Sequence, residues 1–198
     1  MSDRSSWTAT THEWGSDLDE QHLHEVSRLL GPPGAAGGRR HLILEVLAYA
    51  NDEAAALGRT GHVIVTTHAD GAVTIEDDGR GTDTRRDSDG RVIRKPVMAT
   101  ADVRFTDINN APLLPDGLPR RGISTVAALS SALTHENHRD DGAWSQTYRH
   151  GIPDGDLKPL RERKPRGTVV TFWTDITGPS DLTNEDRGAF PFLDIRLT

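Results

Sequence analysis

His41 and Glu45 stand four residues apart, a spacing that puts an imidazole and a carboxylate on one helix face within reach of each other. A glutamate oriented by a histidine at the inner end of a cleft is what general-base activation of a water needs. The same spacing equally describes a plain ion pair on a helix surface. Two turns on, Asp52 falls on about the same stripe, with Tyr49 between and Glu53 displaced toward a neighbouring face. A second group, Asp77-Asp78-Gly79-Arg80-Gly81, couples a carboxylate to a Gly-x-Gly turn. Glycines there let the backbone turn tightly and come close to a planar ligand. The aspartate can accept a hydrogen bond from an exocyclic amine such as that of adenine, and a simple loop is the alternative. Third, Gly117-Leu118-Pro119-Arg120-Arg121-Gly122 runs into an apolar helical pattern, where free N–H groups, the helix dipole and two guanidiniums could meet an anion. Fourth, Gly167-Thr168 opens a β-branched run, and its hydroxyl either completes a base pocket or is an ordinary strand residue.

A helix, a hairpin, a lid and a late strand must hold these groups. Over residues 40–57, Ile43, Leu44, Leu47, Ala50 and Ala54 recur at helical spacing, and Gly58 and Gly61 close the run. The β-rich runs 62–68 and 72–77 flank Ala69-Asp70-Gly71, a hairpin signal. Ahead of them, Ser16 with Asp17 and Asp19 reads as a helix start, Leu18, Val26, Leu29 and Leu30 as its apolar face, and Gly31-Pro32-Pro33-Gly34 as its end. Residues 31–38 read as a flexible connector and residues 1–15 as a mobile arm. Residues 79–119 form a long lid or loop region, partly mobile, with one apolar patch at Val97-Met98-Ala99. Residues 122–133 read as a second buried helix, and 143–149, 168–173 and 192–197 as strands. The expected architecture is a single α+β domain over 16–198, a mainly antiparallel sheet with helices on one face.

Composition narrows the function classes. The 198 residues, 34% hydrophobic and 27% charged, suit one domain with a sizeable core. No run of about twenty apolar residues occurs, so no membrane span is expected, and the amino-terminal residues carry no apolar signal stretch. Absence of cysteine removes disulfides and thiolate chemistry. The 23 Lys and Arg against 30 Asp and Glu give −7, a poor balance for nonspecific nucleic-acid binding. A cytoplasmic protein is expected, with a small molecule or another protein as partner and no direct contact with nucleic acid. Its 9 histidines are scattered, without the spacing of a metal cluster.

In chain order, the helix glutamate, the Asp-x-Gly-x-Gly after a hairpin, the glycine–arginine stretch before a helix and the Gly-Thr on a strand make a much more specific pattern than any one alone. Over roughly residues 17–198 the chain resembles the ATP-binding domain of DNA gyrase B and topoisomerase IV, within the GHKL or Bergerat-fold group. The likeness is carried by residues 41–47, by 62–71 with 73–81, by Tyr148-Arg149-His150-Gly151-Ile152-Pro153, and by 167–173. The resemblance implies a two-layer Bergerat sandwich. It also implies Glu45 as general base for ATP hydrolysis, helped by His41, and Asp77 as acceptor of the adenine amino group, with Gly79 and Gly81 in the same turn. Thr168 would support the adenine, an Arg80–Glu53 pair would wall the pocket, and residues Gly117 to Gly122 would be the phosphate lid. ATP or ADP is the ligand so implied.

The phosphate half departs from the family pattern. The family's magnesium-ligating asparagine is replaced by Tyr49, and a phenol is a poor ligand for Mg²⁺. Asn51 is turned about 200° from Glu45 around the helix, which leaves Asp52 as the nearest alternative oxygen donor; no metal site is assigned. In the lid, Arg120 replaces a glycine that would lie against phosphate. Arg120 and Arg121 either supply the charge that magnesium otherwise would or fill the phosphate channel. The sequence therefore predicts a stand-alone gyrase-B-like domain that binds ATP or ADP with weak or no hydrolysis, and not a complete topoisomerase. One alternative is a Bergerat fold repurposed to bind or transform another flat, amino-bearing small molecule with His41, Glu45 and Tyr49. Another is a non-catalytic regulator or decoy of gyrase or its inhibitors.

Overall fold

The computed structural model describes residues 18–86, 88–90, 92–94, 96–161 and 165–198, so the arm expected at 1–15 lies outside the described residues. Helix α1 (Glu20–Leu30) buries Leu23, Val26 and Leu30. Asp19 caps it, its carboxylate accepting the His22 N–H at 2.9 Å; Ser16, expected as the start, lies outside the described residues. Leu29, assigned to the apolar face, is exposed, because it follows the buried stripe by a quarter turn. The connector at 31–38 is no free linker either. Ala36 is wholly buried in the core, and just beyond it the Arg40 N–H reaches the Pro179 carbonyl at 2.9 Å.

Helix α2 (Gly38–Ala56) carries the His41–Glu45 pair and is buried on every side over residues 41–48. A helix apolar all round belongs between layers. The sheet lies on one side of α2, and α1 and α3 (Ile123–Ala128) pack on the same layer. The predicted hairpin is β1 (Gly61–Thr67) with β2 (Val73–Asp77), antiparallel, Val65 opposite Ile75. Further along come β3 (Thr84–Arg86) with β4 (Val92–Arg94), β5 (Ala132–Arg139), β6 (Gly142–Arg149), β7 (Ile152–Pro153), β8 (Lys158–Pro159), β9 (Gly167–Trp173), α4 (Asn184–Gly188) and β10 (Leu193–Leu197). The main sheet runs β10-β1-β2-β9-β5-β6-β7, with β8 against β6. It is antiparallel throughout except for β10 beside β1.

Alternation sorts the faces. Val63 and Val65 point into the core while Ile64 is exposed, and Leu133, Phe172 and Val73 pair across β5, β9 and β2 on the helix-covered side. This is the expected α+β class, with a mostly antiparallel sheet covered by helices. Two expectations fail locally. The helix expected at 122–133 ends at Ala128, and Leu133 belongs to β5. Residues 79–119 are not one long loop: they hold the β3–β4 hairpin, a 3₁₀ turn at Val103–Phe105, and Met98 and Ala99 almost fully buried. No helix among the described residues is long and apolar enough to cross a membrane.

Helix α4 was not expected from the sequence. It is held by a capping box in which the Asp186 N–H donates to Thr183 Oγ1 and the Thr183 N–H to Asp186 Oδ2. The fully buried Asp186 also takes a two-pronged bond from Arg40 at 2.8 and 2.7 Å, fixing the start of α2. Burial pushes its carboxyl up, but the Arg40 guanidinium and the Thr183 donors outweigh that and hold it below the usual aspartate range. Asp186→Asn should cost about 2–3 kcal/mol at neutral pH, read by urea unfolding. The sign follows from the depressed value: the stabilisation is present above the unfolded pKa and is lost as pH falls through the folded one. Wild type and variant should therefore converge in strong acid.

Candidate functional site

Asp77 ends β2 beside the start of β9. Its Oδ2 accepts the Thr168 hydroxyl and its Oδ1 accepts the Gly79 N–H at 2.8 Å. The two strands approach so closely that any side chain on Gly167, whose φ is +143, would collide with the Asp77 carbonyl oxygen. Gly81 is as constrained: at φ +77 its added Cβ would lie 2.6 Å from Asn137 Oδ1. That Asn137 amide clamps the turn from β5, accepting the Thr82 N–H at 2.6 Å and donating to the Thr82 carbonyl at 3.0 Å. Burial pushes the Asp77 carboxyl up, against the lowering effect of its Thr168 and Gly79 donors. In front of it lies a small recess of about 10 Å³, room for a single water, lined by Ala50, Ala54, Val63 and Gly79 and edged by Arg59 and Asp78. The predicted Arg80–Glu53 pair forms on its rim, Nε–Oε1 2.6 Å and Nη2–Oε2 2.9 Å.

The helix pair is buried, with His41 2% and Glu45 0% exposed, so the surface-ion-pair alternative does not hold. His41 Nε2 lies 3.6 Å from Glu45 Oε1, and its Nδ1 bonds Asp116 Oδ2 at 2.7 Å. Glu45 is occupied: its oxygens accept the Arg121 N–H at 2.5 Å and the Gly122 N–H at 3.1 Å. Burial still pushes its carboxyl up, because two amide donors do not replace water around a charge fully enclosed by protein. The expectation of free N–H groups ahead of the second helix thus fails. Arg121 and Gly122 spend theirs on Glu45, and the Ile123 N–H bonds Tyr49 Oη at 3.3 Å.

Tyr49 Oη donates in turn to Asp102 Oδ2 at 2.5 Å. Burial pushes the phenol well above its ordinary pKa, so the oxygen is neutral and already engaged on both sides. Arg120 lies against the same ring, its guanidinium carbon 4.8 Å from the Tyr49 centroid and 4.6 Å from that of Phe105. Arg104 stacks on the same two rings at 5.4 and 4.8 Å and bonds Asp102. Burial pushes Asp102 up, but Arg104 and Tyr49 outweigh that and keep it below the usual range. Asp52 receives Nη1 of both arginines, at 2.8 Å from Arg120 and 3.1 Å from Arg104. The residues that would hold Mg²⁺ in this fold do not fit one. Where the resemblance would place a metal ligand, Tyr49 offers a neutral phenol that already makes two hydrogen bonds, with the Arg120 guanidinium beside its ring. Asn51 faces elsewhere, accepting the Phe192 N–H at 3.1 Å. Tyr49→Phe removes the tie between α2, Asp102 and α3 and should lower stability by about 1–2 kcal/mol in a thermal melt.

The structure thus gathers Asp77, Gly79, Gly81 and Thr168, with Arg80 and Glu53, at one wall, and His41, Glu45, Tyr49, Asp52, Arg120, Arg121 and Gly122 around the segment leading into α3. Gly117 is a turn residue, its N–H on the Leu114 carbonyl at 2.9 Å with open space beside it. Arg121 diverges from Arg120, its side chain in the field of Glu45 and of Glu25 on α1. Sequence reasoning missed Asp116, Asp102, Arg104 and Asn137. A signal existed for the second and third, since an Asp-x-Arg-Phe run inside a polar loop can seat a buried ion pair. No group of three or more potential metal-ligating side chains occurs among the described residues.

No protein-family model matches the chain. It is 38% identical over 145 residues to DNA gyrase B of Mycolicibacterium smegmatis, covering 70% of this chain and 20% of the relative. It is 32% identical over 191 residues to the mitochondrial DNA gyrase B of Arabidopsis thaliana, covering 88% of this chain and 26% of the relative. The chain therefore spans about a fifth to a quarter of these relatives' length. Among solved structures, the topoisomerase IV ATP-binding domain of Francisella tularensis, in complex with a small-molecule inhibitor, superposes with a TM-score of 0.61 at 21% identity. The match covers 84% of this chain and 45% of that one. Sequence likeness and shared fold together make this chain a gyrase-B-like member of the GHKL group.

Proposed function

We propose that the chain binds an adenine nucleotide, ATP or ADP, through the Asp77 wall, and that its rebuilt phosphate side leaves hydrolysis weak or absent. The observation that carries this reading is the half-buried Asp77 carboxylate fixed by the Thr168 hydroxyl and the Gly79 N–H at the edge of a small recess. A carboxylate has acceptor capacity beyond those two bonds, which an exocyclic amine can use. The gyrase B relatives and the ATP-binding domain with the same fold support it. Weak turnover follows from Glu45, whose oxygens are taken by lid amides where a general base would hold water, and from Tyr49, which offers no metal ligand. Calorimetric titration with adenosine and ADP, beside a phosphate-release assay with ATP, tests both halves. Heats of binding with phosphate release near background are expected; no heat and no thermal shift at millimolar adenosine would end the reading. Topoisomerase activity is not part of the proposal.

One observation favours a second reading. His41 bonds Asp116 at 2.7 Å and stands 3.6 Å from Glu45, so a small shift of the imidazole would link the three groups. Such a relay suits proton transfer to a small molecule other than ATP. Its mark would be a ligand that shifts the melting temperature of the wild type and is consumed by it, but not by His41→Gln.

A further inference from the structure

We infer that the phosphates of the bound nucleotide are met by a paired-guanidinium seat, Arg120 with Arg104, in place of a divalent cation. The inference rests on the adenine reading above and concerns the other end of the same ligand. Both guanidiniums converge on a single oxygen, Oδ2 of Asp52, from 2.8 and 3.1 Å. That carboxylate is 40% exposed, whereas the Arg120 side chain is only 8% exposed. Arg120 is also incompletely satisfied: its Nε and Nη2 are closed off from solvent and find no hydrogen-bond acceptor among the described residues. Buried cationic donors without acceptors are costly, and they persist where something else completes them.

The surroundings preset the geometry. Both guanidinium carbons lie over the Tyr49 and Phe105 rings, 4.6 to 5.4 Å from the centroids, which limits where the forks can turn. Ala50, which lines the recess before Asp77, falls between Tyr49 and Asp52 on α2, so seat and base wall share one helix. A phosphate arriving there exchanges with the Asp52 carboxylate. It takes over the two Nη1 donors and supplies oxygens to Nε and Nη2 once Arg120 turns off the Tyr49 ring. Planar guanidinium forks match phosphate oxygens two at a time, a geometry that an ammonium or a hydrated ion does not reproduce. Asp52 is then a built-in competitor, an internal anion that holds the seat in shape and weakens the ligand's grip by occupying it.

The test titrates adenosine, ADP and pyrophosphate into the full chain, in excess EDTA and again with Mg²⁺. In EDTA, ADP should bind at least tenfold more tightly than adenosine, with no gain on adding Mg²⁺. Arg120→Met, which keeps bulk against the rings, should remove most of that increment, and Asp52→Asn should tighten ADP at least threefold. Adenosine binding with an ADP increment that appears only with Mg²⁺, or with no increment, overturns the seat and leaves the base reading standing. If adenosine fails to bind, the base reading falls, and pyrophosphate then decides alone: a thermal shift lost in Arg120→Met supports the seat, and no shift overturns it. Should Arg120→Met not fold, an Asp52→Asn chain that binds ADP no more tightly overturns the proposal.

Discussion

In the Asp77→Asn chain, adenosine affinity falls by about 10- to 100-fold. A hydrogen bond to a charged acceptor contributes about 1.5–3 kcal/mol, and every 1.4 kcal/mol is a factor of ten. The carboxylate offers two oxygens with about four acceptor sites, which the Thr168 hydroxyl and N–H and the Gly79 N–H use in part. Asparagine keeps a single oxygen, for which the Gly79 N–H and the ligand's amine must compete, and turns a donor toward Thr168. Calorimetry with adenosine reads this directly, and an unchanged dissociation constant would remove Asp77 from the site. The acceptor must be ionised, and burial raises its carboxyl. Adenosine binding therefore weakens, as pH falls, at a higher pH than an ordinary aspartate would give.

Glu45→Ala is the second large effect, and it falls on stability. The substitution leaves the buried Gly122 N–H and the part-buried Arg121 N–H without an acceptor, at a cost of about 3 kcal/mol for the pair. In a domain of this length that lowers the melting temperature by roughly 6–12 °C. Glu45→Gln keeps one acceptor oxygen and should lose about half as much. The opposite result is as informative. A general base held in reserve, with nothing bonded to it, is a buried charge whose removal stabilises the fold; a rise in melting temperature would therefore show that the lid does not rest on Glu45.

What the sequence revealed followed from periodicity. Helix α2 and the β1–β2 hairpin emerged within a few residues because Ile43, Leu44, Leu47 and the alternating Val63 and Val65 write their own repeat. Strand β5 was hidden for the opposite reason. Thr134-His135-Glu136-Asn137-His138 is polar, yet His135, Asn137 and His138 are buried, with Asn137 satisfied by the Thr82 backbone and His138 reaching Glu136. The apolar spacing of Ile123, Val126, Ala127 and Leu133 imitates one continuous helix. Ser130 and Ser131 in fact carry the chain from α3 into β5, Ser130 bonding back to the Val126 carbonyl at 2.6 Å. At the site, the order of motifs brought Asp77 and Thr168 together across 91 residues, where local pattern alone could not. The partners of Tyr49 and His41 were out of reach, since Asp102 and Asp116 lie in polar loops with no repeat and act through contacts 53 and 75 residues long. The use of the α3 amide groups by Glu45 was hidden likewise: glycines before a helix read the same whether their donors await a ligand or already serve the protein.

The two main-chain bonds that Glu45 makes to the segment leading into α3 also order events in time. If the proposed nucleotide extends past that segment beyond the Asp52 seat, the clasp has to part first, and capture then proceeds in two stages, opening and then seating. Its rate levels off at the opening frequency however much ligand is supplied, and a short base-only compound, which leaves the clasp shut, associates without that ceiling.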